Sequence, residues 1–140
     1  MQFEKSMREG YAKRVLKDLF RAKNLINAAE DVLITIKESQ LKEYNSSTIL
    51  RELYEALRQY CEALGYLEGY KFESHETITY YLKDILKEVT ISEKFERYRQ
   101  LRNGLNYYGK SIAKETAEKA MKEIPEIIKE LKQKYLSKVK

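Results

Sequence analysis

The residues best suited to chemistry in this 140-residue chain are gathered in one stretch, RYRQLRNGLNYYGK, residues 97–110. It brings together Arg97, Arg99, Arg102, Asn103, Asn106, the adjacent Tyr107 and Tyr108, and Lys110. A guanidinium can grip a phosphate through two parallel hydrogen bonds, an amide can read a base edge or a ribose hydroxyl, and a phenol ring offers a face on which a base stacks. In a helix, positions three and four apart are neighbours. Arg99, Arg102, Asn103 and Asn106 are therefore expected on one polar face, opposite Leu101, Leu105 and Tyr108, with Arg102 stacked on Asn106. The expected RNA- or nucleotide-binding set is Arg99, Arg102, Asn103, Asn106, Tyr107 and Lys110. The competing account is structural: Arg102 pairs with a carboxylate, and Asn106 and Gly109 merely end the helix.

Elsewhere candidates are few. His75 is the only histidine, and so the only side chain whose unperturbed pKa lies near neutrality. It is the one ready general base, although a place at a helix start also suits a packing residue. Cys61, the single cysteine, lies on a core stripe with no paired base, and one Cys with one His cannot build a zinc cage. No metal and no cofactor are expected. Nine of the twelve tyrosines fall between Tyr54 and Tyr108, which suits either half-buried core or an interface between two copies of the chain.

The elements that must position these residues read as helices throughout. Hydrophobic residues make up 43% and charged residues 35% of the chain, enough to fold one soluble domain spanning residues 1–140. Apolar residues recur at helical spacing and strict alternation is absent, so the fold class is all-α, an up-and-down bundle of about five to six helices, and no strand is needed. Phe3, Met7, Tyr11, Val15 and Leu19 form a first stripe. Leu25, Ile26, Ala29, Val32, Leu33 and Ile36 form a second; the two stripes belong either to one long helix or to two, with a break favoured near residues 17–24, where Asp18 can cap a second helix. Ser46 or Ser47 is expected to cap a helix with the stripe Leu50, Leu53, Leu57, Tyr60, Cys61, Leu64 and Leu67, stopping at Gly69. Gly65 is read there as a close-packing position. A short helix follows Ser74. The next starts at a Thr90–Glu93 capping box and buries Phe95, Tyr98, Leu101, Leu105 and Tyr108 before Gly109. The last runs from about Ala113 to about Leu136, with Pro125 inside it as a kink.

Charge is unevenly placed along the chain. Residues 92–140 carry 13 basic and 7 acidic groups, against 14 and 15 in residues 1–91. A basic part can attract a polyanion such as RNA, and equally can be a solvated helix face. The N-terminus scatters charges where a secretory signal would be apolar, and no run reaches membrane-spanning length, so no membrane partner and a cytoplasmic location are expected. One proline and five glycines, with abundant Lys, Glu and Ile, fit a thermophilic source.

These residues resemble the HEPN superfamily, small helical bundles of prokaryotic toxin–antitoxin and RNA-processing systems. The resemblance covers roughly residues 20–136. It rests on RAKNLINAAEDVL, on LYEALRQYCEALGYLEGYKFESHE, on LRNGLNYYGK and on the long closing helix. It implies a homodimer and, for ribonuclease members, an Arg and a polar residue followed after four to six positions by His, with the active site formed across the dimer. Arg102 and Asn103 match, but the histidine position falls at Tyr107, Tyr108 or Gly109. A phenol with a pKa of about 10 is a poor base for activating a ribose hydroxyl. Three functions are therefore expected in order. The first is a noncatalytic module binding RNA or a nucleotide as a homodimer. The second is the partner of a nucleotidyltransferase protein, with Tyr107 or Tyr108 as a possible nucleotide acceptor. The third is a metal-independent endoribonuclease using Arg102, Tyr107 and a substitute base, His75.

Overall fold

The longest apolar stripe nucleates the architecture. In the computed structural model, which describes residues 1–136, helix α3 (Ser46–Glu68) buries Leu50, Leu53, Tyr54, Leu57, Tyr60, Cys61 and Leu64 almost completely. Such a stripe, recurring every three to four residues, gives a helix one broad face for the core. Around it stand α1 (Gln2–Arg8), α2 (Leu19–Glu38), α4 (His75–Tyr80, continued by a π-helical turn Tyr81–Ile85), α5 (Val89–Tyr108) and α6 (Lys114–Leu131, continued by a π-helical turn Lys132–Leu136). The all-α bundle expected from periodicity is what forms.

Helix α2 lies along α3 through Ala22, Ala29 and Ile36, buried residues seven apart whose small side chains at two of the three positions allow a close approach. Asp18 caps it, its Oδ1 accepting from the Arg21 amide at 2.9 Å, where a cap was expected. Upstream the reading fails. Of the first stripe only Phe3 and Met7 lie in α1, which ends at Arg8 before Gly10, with φ of +83°, turns the chain; Tyr11 and Val15 lie outside any helix and Leu19 opens α2. Ala12–Arg14 is then a strand, β1, antiparallel to β2 (Tyr70–Phe72) in the register Ala12↔Phe72, Lys13↔Lys71 and Arg14↔Tyr70. A three-residue strand is too short to show alternation, and its partner lies almost sixty residues away. Gly69 makes the pairing possible: at φ of +87° it ends α3 in the left-handed conformation and reverses the chain so that Tyr70–Phe72 runs back beside β1. Gly65 packs as expected, but against this ribbon, since a Cβ there would lie 2.6 Å from the Phe72 ring and 3.2 Å from the Tyr70 carbonyl oxygen.

Two expected caps are corrected. Neither Ser46 nor Ser47 caps α3: a 3-10 turn over Glu43–Asn45 runs straight into the helix, so both serines are already helical. Ser46 Oγ donates to the Lys42 carbonyl at 2.7 Å, and Ser47 Oγ accepts from the Ile112 amide at 3.2 Å. Helix α5 begins at Val89 with Glu88 at the cap position, so Thr90 lies inside it and the Thr90–Glu93 box does not form. The Glu88 amide is committed to Leu82 O at 2.8 Å, which fixes the entry one residue earlier. Ser74 does cap α4, accepting from the Thr77 amide. Pro125 lies inside α6, which continues through it with Ile124, Ile127 and Ile128 buried on either side.

Candidate functional site

The cleft forms where two helix segments meet above α3. The first turn of α4 supplies Ser74, His75 and Glu76, and the last turns of α5 supply Arg99, Arg102, Asn103 and Tyr107, around a cavity of about 330 Å³. The chain reaches this point because α3 ends at Gly69, the β2 strand brings residue 72 back to the core, and Ser74 caps a new helix. Phe95, Tyr98 and Leu105 anchor α5 to the bundle and turn its Arg99, Arg102 and Asn103 toward α4.

Tyr54 of α3 lies beneath the cleft. Its buried hydroxyl lies 3.0 Å from His75 Nδ1, and Arg102 Cζ stands 5.7 Å from its ring centroid, within reach of a cation–π contact. Burial pushes the Tyr54 phenol well above its ordinary pKa, so it keeps its proton. His75 is driven the other way, down to about 4, first by burial and then by the positive charges of Arg58 and Arg102. The imidazole is therefore neutral at physiological pH.

The three arginines of this region differ in their partners. Arg58 is clamped between Glu55 and Glu62 of its own helix, the latter at 2.5 Å. Arg99 is held by Glu96, its Nε donating to Oε2 at 2.9 Å, while Thr79 Oγ1 donates to the same carboxylate at 3.1 Å. Desolvation would raise the Glu55 and Glu96 carboxyls, but the guanidinium bonds outweigh it and hold both below the usual range. Arg102 donates from Nη1 to Asn103 Oδ1 at 3.2 Å and pairs with no carboxylate among the described residues. A half-buried guanidinium with one neutral partner retains most of its donors for an external anion. Glu76 on the opposite rim accepts from the Tyr80 hydroxyl at 2.5 Å and places a carboxylate across the cleft from the α5 arginines.

The sequence-derived set thus divides. Arg99, Arg102, Asn103 and Tyr107 share the cleft, and His75 joins them although it lies 27 positions from Arg102. Asn106 does not stack on Arg102: its Oδ1 accepts from Arg51 Nε of α3 at 2.9 Å. Lys110 lies past the helix end, over the Tyr108 ring and beside Gly104, in a separate groove with Arg97, Gln100 and Ile112. Tyr108 is not core. At 75% exposed, and with Tyr107 at 70%, it lies on the turn of α5 that projects past Leu105 before α6 begins at Lys114. Arg97 serves the bundle by binding Glu123 of α6, which also accepts from the Tyr98 hydroxyl at 2.5 Å.

Tyr54, which bonds His75 and faces Arg102, and Arg58, whose charge acts on His75, support the cleft without lining it, and spacing did not single them out. Tyr54 sits inside an apolar stripe, and Glu55, Arg58 and Glu62 at helical spacing look like an ordinary solvated salt-bridge ladder. No group of His, Cys, Asp and Glu among the described residues is arranged to hold a metal ion. No family model matches the chain, and no curated protein and no solved structure does.

Proposed function

We propose that the chain is an HEPN-like module that binds RNA or a nucleotide as a homodimer, through the cleft around Arg102. The observation that carries this reading is Arg102 itself, half-buried, without a carboxylate partner among the described residues, and flanked by an amide and an exposed tyrosine ring. Arg102 grips a phosphate, Asn103 orients the guanidinium and offers its NH₂ to a ribose or base, and Tyr107 stacks a base at the rim. Arg99, already bound to Glu96, lines the cleft but keeps few donors for a ligand. A titration of fluorescent single-stranded RNA and of a nucleoside triphosphate tests the reading. Binding should weaken linearly in log–log form as salt rises, and no detectable binding of either ligand at low salt would contradict it.

A second reading, metal-independent RNA cleavage with His75 as the base, is favoured by one observation: the imidazole shares the cleft with Arg102. For the ring to take the ribose 2′ proton at Nε2, Nδ1 must carry its hydrogen and donate it to the Tyr54 hydroxyl. The 2′ oxygen then attacks the adjacent phosphorus, the P–O5′ bond breaks, and the 5′ oxygen leaves as a hydroxyl by taking a proton from water, while the proton on the imidazolium returns to solvent. A pKa of about 4 makes His75 a weak base in the free protein, and an anion beside Arg102 would raise it. Appearance of a 2′,3′-cyclic phosphate with wild-type protein, lost in His75→Gln, distinguishes cleavage from binding alone.

A further inference from the structure

The segment joining β1 to α2 exposes apolar side chains that the bundle does not use. Leu16 is 91% and Phe20 76% exposed, and Val15 and Leu19 beside them are also open to solvent. The four residues span so little chain that their Cα atoms lie within about 18 Å of one another. The segment is not loose. Val15 N donates to Gly69 O at 2.9 Å, Asp18 N donates to Tyr66 O at 3.1 Å, and Asp18 caps α2, so the apex is held in place from both sides.

The segment itself is basic, with Glu68 and Glu73 the acids that the adjoining end of α3 and β2 bring beside it. Lys13, Arg14, Lys17, Arg21 and Lys23 lie within this stretch, and Asp18 is the one acid from Tyr11 to Asn24. Arg14 lies over the Tyr70 ring at 4.4 Å and donates to the Glu68 carbonyl, while Arg21 donates to the Tyr66 hydroxyl at 2.9 Å. These partners are all neutral groups. Lys13 has Glu73 at 3.7 Å, whereas Arg14, Lys17, Arg21 and Lys23 have no carboxylate partner among the described residues.

We propose that the Val15–Phe20 apex, with its ring of lysines and arginines, docks this protein on an anionic lipid bilayer. Charge complementarity selects this occupant. A second copy placed on the patch by two-fold symmetry would bring like charges together. A nucleic acid would meet the basic ring but leave Leu16 without an apolar partner. A groove in an acidic protein would have to match a protruding shape, whereas a bilayer interface accepts any convex apolar apex: Leu16 and Phe20 enter the acyl boundary and the basic ring stays among the headgroups. No described helix is long and apolar enough to cross a membrane, and surface docking requires none.

The test is co-sedimentation of the full chain with vesicles of phosphatidylcholine alone and of phosphatidylcholine with phosphatidylserine. Binding should require phosphatidylserine and decline as salt rises. The double variant Leu16→Ser/Phe20→Ser should lower the partition coefficient at least tenfold, with an unchanged circular dichroism spectrum. Lys17→Gln and Lys23→Gln should each lower it about fivefold. Absence of binding to phosphatidylserine vesicles would overturn the proposal, as would binding that the Leu16/Phe20 variant leaves undiminished. So would a dimer that this variant converts to a monomer, because a second copy would then be the occupant.

Discussion

Arg58, Arg99 and Arg102 project into one small region, yet two of them are neutralised by carboxylates and the third is not. That difference was only half legible in the sequence. Arg102 stood out by its neighbours, but the sequence left open whether an unspecified carboxylate pairs with it. Asn106 was placed correctly on the helix and wrongly in the site, because Arg51 of α3 takes its amide oxygen. His75 tests the electrostatics. Its folded pKa of about 4 lies below its ordinary 6.5, so the unfolded chain binds the proton first as pH falls. This contribution to stability is complete above about pH 6.5 and is lost toward pH 4. Allowing for partial solvation of the ring, the loss is of order 1–2 kcal/mol. Urea denaturation should show the wild type less stable at pH 5 than at pH 7, with a smaller difference in His75→Gln. Equal pH dependence in both proteins would refute this account of the imidazole. The paired carboxylates Glu55, Glu96 and Glu123, held below their ordinary value of 4.5, lose their contribution only at lower pH. Glu76→Gln removes the acid facing the anion and should tighten RNA or nucleotide binding by roughly two- to fivefold. Weaker binding in that variant would place the ligand elsewhere.

Among the elements the helices were legible, the short α4 with its Ser74 cap included, and the two short strands were not. Helices α3, α5 and α6 extend over 23, 20 and 18 residues, and periodicity fixes such segments to within a few residues. The β1–β2 ribbon has no local signature, since each strand exists only because the other, far along the chain, satisfies its backbone groups. Even so, its presence leaves a mark in Gly65 and Gly69. Gly65→Ala would force a methyl against both the Phe72 ring and the Tyr70 carbonyl, a small-to-large change in a filled space expected to cost about 1–3 kcal/mol. Because β2 leads directly to Ser74 and His75, the same variant should also weaken ligand binding. A fully stable Gly65→Ala protein in chemical denaturation would show that the ribbon is not tightly docked on α3. The cap errors at α3 and α5 share one cause: adjoining 3-10 and π-helical turns had already committed the backbone groups that a side-chain cap would serve.

At the scale of the whole molecule, the helical bundle followed from composition and periodicity, while the convergence of α4 with α5 over α3 did not, because no local pattern reports which helices meet. The tyrosines show why. Tyr54, Tyr60, Tyr81 and Tyr98 are buried, and Tyr107 and Tyr108 are open to solvent, although all belong to helical segments with similar local composition. The proposed homodimer has a direct consequence: light scattering at micromolar concentration should give about twice the chain mass of 16.7 kDa, and a monomeric mass would contradict it. The central claim is that Arg102 serves a ligand and not the fold, and one variant measured two ways tests it. Arg102→Ala strands no carboxylate, so its melting temperature should stay close to that of the wild type. Its affinity for single-stranded RNA or a nucleotide should fall by about 1–3 kcal/mol, the worth of charge-assisted hydrogen bonds to a phosphate. A large loss of melting temperature with unchanged affinity would contradict the account and make Arg102 a structural residue.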